Sequence, residues 1–467
     1  MSQPLVLEVP PGSSPRAGIA ELAAAVETER WPLLLDSGAT PSDLAAWHLL
    51  LFDPVERLQH RVRAGAHGFR ELAAALQRHW PRESDRMPGG ASALPAFRGG
   101  AAGWFGYELA RELERVPELA AVDADVPDLC AGLYPFALAE ELGTGRRLIV
   151  GRGSAADAAR FLASVEELAR RARPLSPLQP APPGRRLALE STFSRQAYVA
   201  AVAAVRERIL DGDVYQVNLC QRLAAPFDGD PAALQLAWRE RFPAPFGALL
   251  RVPGTTLLSS SPELFLRKRG ARVESRPIKG TAARHADPAA DAAARAALEA
   301  SDKERAELAM IVDVVRNDLG RTAVIGSVAV EGEFRTDAWA NLYHRVATVS
   351  SLVDPGTSAL DVLEAAFPPA SVTGAPKLAA QAVIERLEPV RRHVYTGAIG
   401  WIGADGDMDL SVAIRIATLT GGRLLGSFGG GITLASDPAA EYDETLHKAR
   451  ALCDVLGARG PFTGALP

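Results

Sequence analysis

The sequence is poor in cysteine, with three in 467 residues, Cys130, Cys220 and Cys453. They stand far apart and show none of the short spacings typical of a cysteine-based metal site. So few cysteines also exclude a disulfide framework and are typical of a reducing compartment. We therefore expect a cytoplasmic protein.

The sequence also lacks an excess of positive charge and a long apolar run. Its net charge of -5 gives no electrostatic reason to expect a nucleic-acid or membrane partner. No apolar stretch is long enough to span a bilayer, and the first residues, MSQPLVLEVPPGSS, lack the basic and apolar regions of a signal peptide. What remains is globular in composition, 48% hydrophobic and 23% charged.

A proline-rich stretch divides the chain. Pro174 to Arg186 is too rich in proline for regular structure and predicts a linker, so residues 1–185 and 186–467 are the expected divisions. After it, strand-like runs often follow one another without the strand–helix alternation of a parallel sheet. This favours an α+β fold with large antiparallel sheets.

A lysine stands at the end of a predicted strand. Residues Ala271 to Ile278 alternate in type and the pattern breaks at Gly280, which puts Lys279 at the strand end. A lysine in such a turn is usually only solvated. Its importance therefore depends on which residues lie beside it.

Two predicted helices each carry a pair of carboxylates. One helix has Ser301 as its N-cap and presents Glu304 and Glu307 on one face, because residues three apart are neighbours on a helix. The last helix presents Glu441 and Glu444 in the same way. Such pairs are usually solvated, but two together could hold Mg²⁺, which prefers carboxylate oxygen and keeps waters that a substrate displaces.

Three further features suit an anionic substrate. The run Gly429–Gly431 is either a flexible turn or a set of unshielded N–H groups for a carboxylate. Arg415 falls in a predicted strand, Leu410 to Thr418, where a guanidinium is costly unless it meets an anion. His344 lies beside a strand start, although a lone histidine is more often structural. Together these residues indicate a small, multiply anionic substrate.

These motifs resemble those of the chorismate-utilising enzymes, which include anthranilate, aminodeoxychorismate, isochorismate and salicylate synthases. The resemblance covers about Thr192 to Arg450. The matching motifs are Ser261-Pro262-Glu263, Pro277 to Thr281, Lys303 to Asp318, Phe367 to Lys377, Tyr395 to Gly397, Ala413 to Arg415 and Gly429 to Glu444. It implies a large α/β sandwich of two packed antiparallel sheets with outer helices. It also implies that an N-terminal subdomain, 1–185, interleaves with a chorismate-binding catalytic domain, 186–467.

Two positions distinguish members of this family. Isochorismate-type enzymes have a water-activating lysine where this chain has Gln216, which cannot act as that base. Anthranilate synthases typically have alanine where this chain has Lys279, the residue typical of aminodeoxychorismate synthase component I. The resemblance therefore implies that chorismate and ammonia become 4-amino-4-deoxychorismate, with Lys279 as covalent nucleophile and Glu263 as general acid and base.

The resemblance also implies ligand and partner assignments. Mg²⁺ is expected on Glu307 and Glu444 directly, with Glu304 and Glu441 beside them. The residues expected to hold chorismate are Gly280, Thr281, His344, Tyr395, Arg415, Gly429, Gly430, Gly431 and Lys448. Ammonia is expected from a separate class I glutamine amidotransferase subunit, because no Gly-x-Cys-x-Gly element surrounds a cysteine.

An amino-acid pocket is a further implication of the resemblance, with tryptophan as the candidate ligand. It would include Ser37, Pro245 and Phe246.

Two departures and two alternatives remain at this point. Pro369-Ala370 stands where family members usually carry glycine, and Ala379 where an arginine is common. The alternatives are anthranilate synthase component I, which Lys279 disfavours, and a non-catalytic scaffold that binds an amino acid or a partner.

Overall fold

The computed structural model describes residues 4–9, 17–38, 42–81, 94–176, 178, 189–332, 334–339 and 342–458. Most of the predicted linker, Pro174 to Arg186, lies outside these residues. The division between residues 185 and 186 therefore stays a prediction.

The helices begin where the sequence supplies caps. The Ser301 hydroxyl accepts a hydrogen bond from the Glu304 N–H at 3.3 Å, and Asp437 caps the last helix ahead of Pro438. Within the described residues the helices are α1 (Ile19–Ala25), α2 (Gly68–His79), α3 (Ala110–Leu113), α4 (Ala155–Arg171), α5 (Arg195–Leu210), α6 (Pro231–Arg241), α7 (Pro288–Ala300), α8 (Asp302–Gly320), α9 (Ala359–Ala366), α10 (Lys377–Leu387) and α11 (Pro438–Leu456).

The strands are mostly short and rich in apolar residues. In chain order they are β1 (Pro4–Glu8), β2 (Leu33–Asp36), β3 (Trp47–Leu51), β4 (Glu56–His60), β5 (Gly100–Phe105), β6 (Leu129–Tyr134), β7 (Phe136–Glu141), β8 (Arg147–Arg152), β9 (Glu190–Ser191), β10 (Gln216–Pro226), β11 (Phe246–Val252), β12 (Thr255–Ser261), β13 (Leu264–Arg269), β14 (Arg272–Arg276), β15 (Ile278–Ala283), β16 (Ala329–Val330), β17 (Arg335–Ala338), β18 (Leu342–Val346), β19 (Val349–Leu352), β20 (Gly374–Ala375), β21 (Ala398–Gly403), β22 (Met408–Val412), β23 (Ile416–Thr420) and β24 (Arg423–Ile432).

These strands form two large antiparallel sheets and a small one. The twelve-stranded sheet has the order β1-β8-β7-β3-β2-β11-β12-β23-β24-β10-β20, with β9 beside β10. The nine-stranded sheet has the order β16-β19-β14-β13-β22-β21-β5-β6-β4, and β15-β18-β17 form the third. Because β2 pairs with β11 and β5 with β21, early and late parts of the chain share both large sheets.

The two large sheets pack face to face with helices outside. Leu33 and Leu250 of the twelve-stranded sheet share one buried cluster with Trp104 and Trp401 of the nine-stranded sheet. A second cluster joins the outer face of the nine-stranded sheet to α2, α8 and α9, and a third joins the twelve-stranded sheet to α1, α4, α6 and α11. The architecture is the sandwich that the resemblance implies.

A predicted strand and a predicted turn differ from the observed structure. The run Leu410 to Thr418 is not one strand, because β22 belongs to the nine-stranded sheet and β23 to the twelve-stranded sheet. Arg415 lies in the crossing between them with φ of 52°. The run Gly429–Gly431 is not a loop, because β24 continues through it to Ile432 in register with β10. Pairing with distant strands determines both features, and such pairing cannot be predicted from the local sequence pattern.

Gly103 allows the backbones of β5 and β6 to approach closely. A Cβ atom there would overlap the carbonyl oxygen of Cys130. We expect Gly103→Ala to lower the free energy of unfolding by about 2–3 kcal/mol, because strand backbones would have to separate. Gly320→Ala, at an open position in α8, should be neutral or slightly stabilising. Thermal unfolding of both variants checks this, and equal melting temperatures would contradict it.

Candidate active site

The candidate site lies where β10 and β24 meet the start of β15. A side chain at Gly431 of β24 would overlap the Gln216 amide and lie 3.2 Å from Lys279 Nζ. Glycine at this position therefore leaves space that Gln216 and Lys279 both face. The helices α8 and α11 bring their carboxylates to the same region.

Lys279 lies at the start of a strand, not at the end of one as predicted. The strand β14 stops before Pro277, and β15 then pairs with β18 with an irregular register between Ile278 and Thr281. Gly280 has a φ of 86°, and a Cβ there would lie 2.9 Å from Glu304 Oε2. Glycine is thus required here both for the backbone conformation and for the approach of α8.

The Lys279 side chain is partly buried, and its amine is surrounded by charges of both signs. Its Nζ donates a hydrogen bond to the Ser371 carbonyl oxygen at 3.1 Å. Burial lowers its pKa, as does the Lys448 ammonium, while Glu307, Glu263 and Glu444 oppose the shift. The net lowering increases the fraction of neutral, nucleophilic amine.

Glu263 follows β12 and is buried beside the same amine. Burial raises the pKa of Glu263 to about 7, although hydrogen bonds from Ser371 and the Ile278 backbone and the charge of Lys279 oppose the shift. A carboxyl group with this pKa can give and take a proton near neutral pH.

The paired carboxylates of α8 and α11 lie close enough to affect one another. Burial raises the pKa of Glu307, and Glu304 and Glu441 raise it further. Burial and the neighbouring Glu444 raise the pKa of Glu441, against a 2.6 Å hydrogen bond from Ser436. Burial also acts on Glu444, but the adjacent Lys448 ammonium at 2.7 Å holds its pKa below the usual value.

These carboxylates fit a hydrated divalent cation better than a closed metal cage. Across the residues that the structure describes, no group of three His, Cys, Asp or Glu side chains is gathered as metal ligands. Mg²⁺ needs only one or two protein carboxylates when waters and substrate complete its coordination. Burial is the main cause of the raised pKa of Glu307 and Glu441, and repulsion from the neighbouring carboxylates adds to it; a bound cation would relieve that repulsion. Glu307 and Glu444 could hold it.

The glycine run provides room and a carbonyl contact. A Cβ at Gly429 would lie 2.5 Å from the Leu219 carbonyl oxygen, so β10 and β24 could not pair as they do. A Cβ at Gly430 would lie 3.1 Å from Glu441 Oε2 and 3.7 Å from Lys448 Nζ. The Lys448 amine donates to the Gly429 carbonyl oxygen at 2.8 Å.

Arg415 is the cationic residue on one side of the site, together with the neutral residues Tyr395 and His344. Burial lowers the pKa of Arg415 against the influence of Tyr395, and no carboxylate among the described residues forms an ion pair with it. Burial and the Arg415 charge lower the pKa of His344 to about 4, so the imidazole is neutral at pH 7. His344 lies within β18, opposite Thr281, whose hydroxyl lies 3.0 Å from His344 Nδ1. The positive charge of Arg415 is therefore available to bind an anion.

The predicted amino-acid pocket residues line one separate cavity. Ser37, Pro245 and Phe246 lie on the wall of a cavity of about 1120 Å³ that also exposes Trp401 and Asp409. Neither Lys279 nor the paired carboxylates are among its described lining residues. Tryptophan as its ligand stays a prediction.

Ser371 was not identified from the sequence as a functional residue. It lies in a motif that the resemblance includes, but its contacts to Lys279 and Glu263 join positions about 90 and 110 apart in the chain. No local pattern signals such contacts.

Among the described helices, none is long and apolar enough to cross a membrane.

Comparison with known proteins gives consistent similarities. A family model described as chorismate binding enzyme matches residues 33–454. The chain is 36% identical over 441 residues to aminodeoxychorismate synthase component 1 of Salmonella typhimurium, covering 91% of this chain and 93% of that protein. It is 37% identical over 397 residues to anthranilate synthase component 1 of Streptomyces coelicolor, covering 81% and 76%.

A solved structure gives the same indication. Anthranilate synthase component I from Streptococcus pneumoniae superposes with a TM-score of 0.75 at 26% identity, covering 89% of this chain and 93% of that one. This similarity confirms the predicted sandwich fold.

The raised pKa of Glu263 predicts a pH-dependent cost to stability. The folded protein holds this proton up to about pH 7, whereas the unfolded chain releases it near 4.5, so stability falls as pH rises between these values. Glu263→Gln removes the titration. We expect the variant to gain up to about 3 kcal/mol over wild type on going from about pH 5 to about pH 8.

Thermal or urea unfolding at the two pH values measures this gain. Glu207→Gln on the exposed face of α5 is the control and should follow wild type. The same wild-type-to-variant difference at both pH values would show that Glu263 titrates normally.

Proposed function

The chain belongs to the chorismate-binding enzyme family, and from this premise we propose that it converts chorismate and ammonia to 4-amino-4-deoxychorismate. The observation that carries the proposal is the partly buried amine of Lys279, whose pKa is lowered by burial beside the protonatable Glu263. A neutral amine of this kind is a nucleophile. Anthranilate formation is the second candidate, since relatives named for it are also similar.

Lys279 is the proposed covalent catalyst. Its nitrogen adds at C2 of chorismate, both conjugated ring double bonds shift by one position, and the C4–O bond breaks. Ammonia then adds at C4, both double bonds shift back, and the C2–N bond to Lys279 breaks. The net change replaces the hydroxyl by an amino group and releases one water. Splitting one displacement into two lowers each barrier.

Glu263 supplies the proton for the leaving hydroxyl. With a pKa of about 7, it is protonated in a substantial fraction of molecules at neutral pH. The proton given to the hydroxyl is recovered from the Lys279 nitrogen after that nitrogen bonds to carbon. Glu263 therefore acts first as an acid and then as a base.

The cationic side of the site suits the carboxylates of chorismate. Arg415 offers a guanidinium without a carboxylate partner among the described residues, and Tyr395 lies beside it. His344, neutral at pH 7 and close to Thr281, can exchange hydrogen bonds without adding charge. Gly280 and Gly429–Gly431 leave room for the ring, and Lys448 borders it.

Mg²⁺ is the proposed cofactor. Glu307 and Glu444 would hold it directly, with Glu304 and Glu441 orienting its waters. When bound, it would act as a Lewis acid at the ring carboxylate of the substrate. The Lys448–Glu444 ion pair at 2.7 Å must loosen for Glu444 to contribute.

Ammonia is proposed to come from a separate class I glutamine amidotransferase subunit. The relatives named component 1 imply a second component. All three cysteines are buried, and burial raises the pKa of each thiol, so none has the properties of a reactive glutaminase nucleophile.

The product identifies the reaction. Wild type supplied with chorismate, Mg²⁺ and an ammonium salt should form 4-amino-4-deoxychorismate, resolved by chromatography and mass spectrometry. Lys279→Ala should lose at least about a hundredfold in rate, and Lys279→Arg should lose as much, because it keeps the charge without a neutral amine. Anthranilate as the product would favour the second candidate. Undiminished turnover by Lys279→Ala would exclude the covalent step.

The carboxylate pairs predict that the protein binds Mg²⁺ even when no substrate is present. Glu307→Gln should weaken Mg²⁺ binding by at least about tenfold, because one charged ligand is lost. Isothermal titration measures this without substrate. Glu299→Gln, an exposed α7 residue bonded to Arg295 at 2.9 Å, is the matched control and should bind like wild type. Equal affinities for all three proteins would exclude Glu307 as a ligand.

A further inference from the structure

Each proposed direct ligand of Mg²⁺ has a lysine one helical turn away. On α11, Lys448 Nζ lies 2.7 Å from Glu444 Oε1. On α8, Lys303 Nζ lies 3.9 Å from Glu307 Oε1, and 55% of the Lys303 side chain is exposed. Residues four apart face each other on a helix, and a long, exposed ion pair contributes little. Lys448 is therefore the lysine that bears more strongly on the proposed metal site.

The Lys448 ammonium is held at two points. Besides its ion pair with Glu444, it donates a hydrogen bond to the Gly429 carbonyl oxygen of β24 at 2.8 Å. An ammonium group has three N–H donors, so these contacts leave it able to donate to a further acceptor, such as a substrate carboxylate. Besides burial, the Lys448 charge lowers the pKa of Lys279, so the ammonium is close enough to act on the proposed chorismate site.

Glu441, Glu444 and Lys448 face one small volume beside β24. A Cβ atom on Gly430 would lie 3.1 Å from Glu441 Oε2 and 3.6 Å from Glu444 Oε1. The same atom would lie 3.7 Å from Lys448 Nζ. A divalent cation bound by Glu444 would therefore lie close to the ammonium. Like charges at short distance repel, so a divalent cation and Lys448 compete for Glu444.

We infer that Lys448 is an internal competitor of Mg²⁺, which pairs with Glu444 until a substrate carboxylate draws the ammonium away. The inference rests on the proposed function, in which Glu444 is a Mg²⁺ ligand and chorismate is the substrate. This exchange of partners links the two binding events, because either ligand, on binding, separates Lys448 from Glu444. By reciprocity, each ligand raises the affinity for the other by the same factor.

Replacing the ammonium by an apolar group tests the inference. In isothermal titration without substrate, Lys448→Met should bind Mg²⁺ at least about fivefold more tightly than wild type, because the competing cation is gone. Lys448→Arg keeps the charge and should bind Mg²⁺ within about twofold of wild type. A Lys448→Met affinity equal to that of wild type would overturn the inference.

Lys303→Met is the matched control. It removes the same charge from beside the other proposed ligand, Glu307, where the longer and more exposed ion pair competes little. Its Mg²⁺ affinity should differ from that of wild type by less than about twofold. An equal gain in both methionine variants would reveal a general effect of net charge, and the specific role of Lys448 would then be wrong.

The coupling between the two ligands is a second readout. In a Lys279→Ala background, where turnover is slow, chorismate should raise the affinity for Mg²⁺. Adding Lys448→Met should reduce this increase at least about threefold, because no ammonium then has to leave Glu444. An undiminished increase would contradict the exchange of partners.

These outcomes are distinct from failure of the proposed function. If neither wild type nor Lys448→Met binds Mg²⁺, with or without chorismate, both the proposed cofactor and this inference are overturned. Binding that Glu307→Gln weakens but Lys448→Met leaves unchanged would overturn the inference alone. Anthranilate as the product would change the proposed reaction, whereas the Mg²⁺ comparisons do not depend on which product forms.

Discussion

Burial of an amine and a carboxyl group in one water-poor space is the constraint on which the site depends. Desolvation disfavours charge on both groups, so it lowers the pKa of Lys279 and raises that of Glu263, and their mutual attraction only partly opposes this. Near neutral pH each group is thereby brought towards the form that the proposed chemistry uses. The arrangement is unfavourable for stability, as is common where a fold keeps reactive groups out of water.

The sandwich creates this space at the place where the chain changes sheets. Between β22 and β23 the backbone leaves the nine-stranded sheet for the twelve-stranded one, and the crossing presents Arg415. The glycines of β24 let β10 pair closely while keeping side chains out of the space in front of Lys279. Because β10 and β24 belong to the twelve-stranded sheet and β15 to the small sheet, the site is built from two different sheets.

Function on this fold is decided by few side chains. Relatives named for aminodeoxychorismate and for anthranilate formation are similarly identical to the chain, so overall identity does not separate the two activities. The amine of Lys279 is the feature that bears on this choice, whereas the neutral Gln216, across the Gly431 space, bears on the distinction from isochorismate-type enzymes. Beside them, the Ser371 carbonyl oxygen accepts a hydrogen bond from Lys279 Nζ at 3.1 Å.

The sequence by itself determined the local features. Capping residues and three-residue spacing predicted α8 and α11 with their carboxylate pairs, since these depend on neighbours within one or two turns. Ordered motifs identified the family and, through it, the sandwich and the proposed roles of Lys279 and Glu263. Tertiary structure alone decided that Gly429–Gly431 is strand and that Arg415 lies in a crossing, because strand pairing joins residues far apart in the chain. It also decided the pKa of Glu263 and the contacts of Ser371, because burial and contacts between distant segments exist only once the chain has folded.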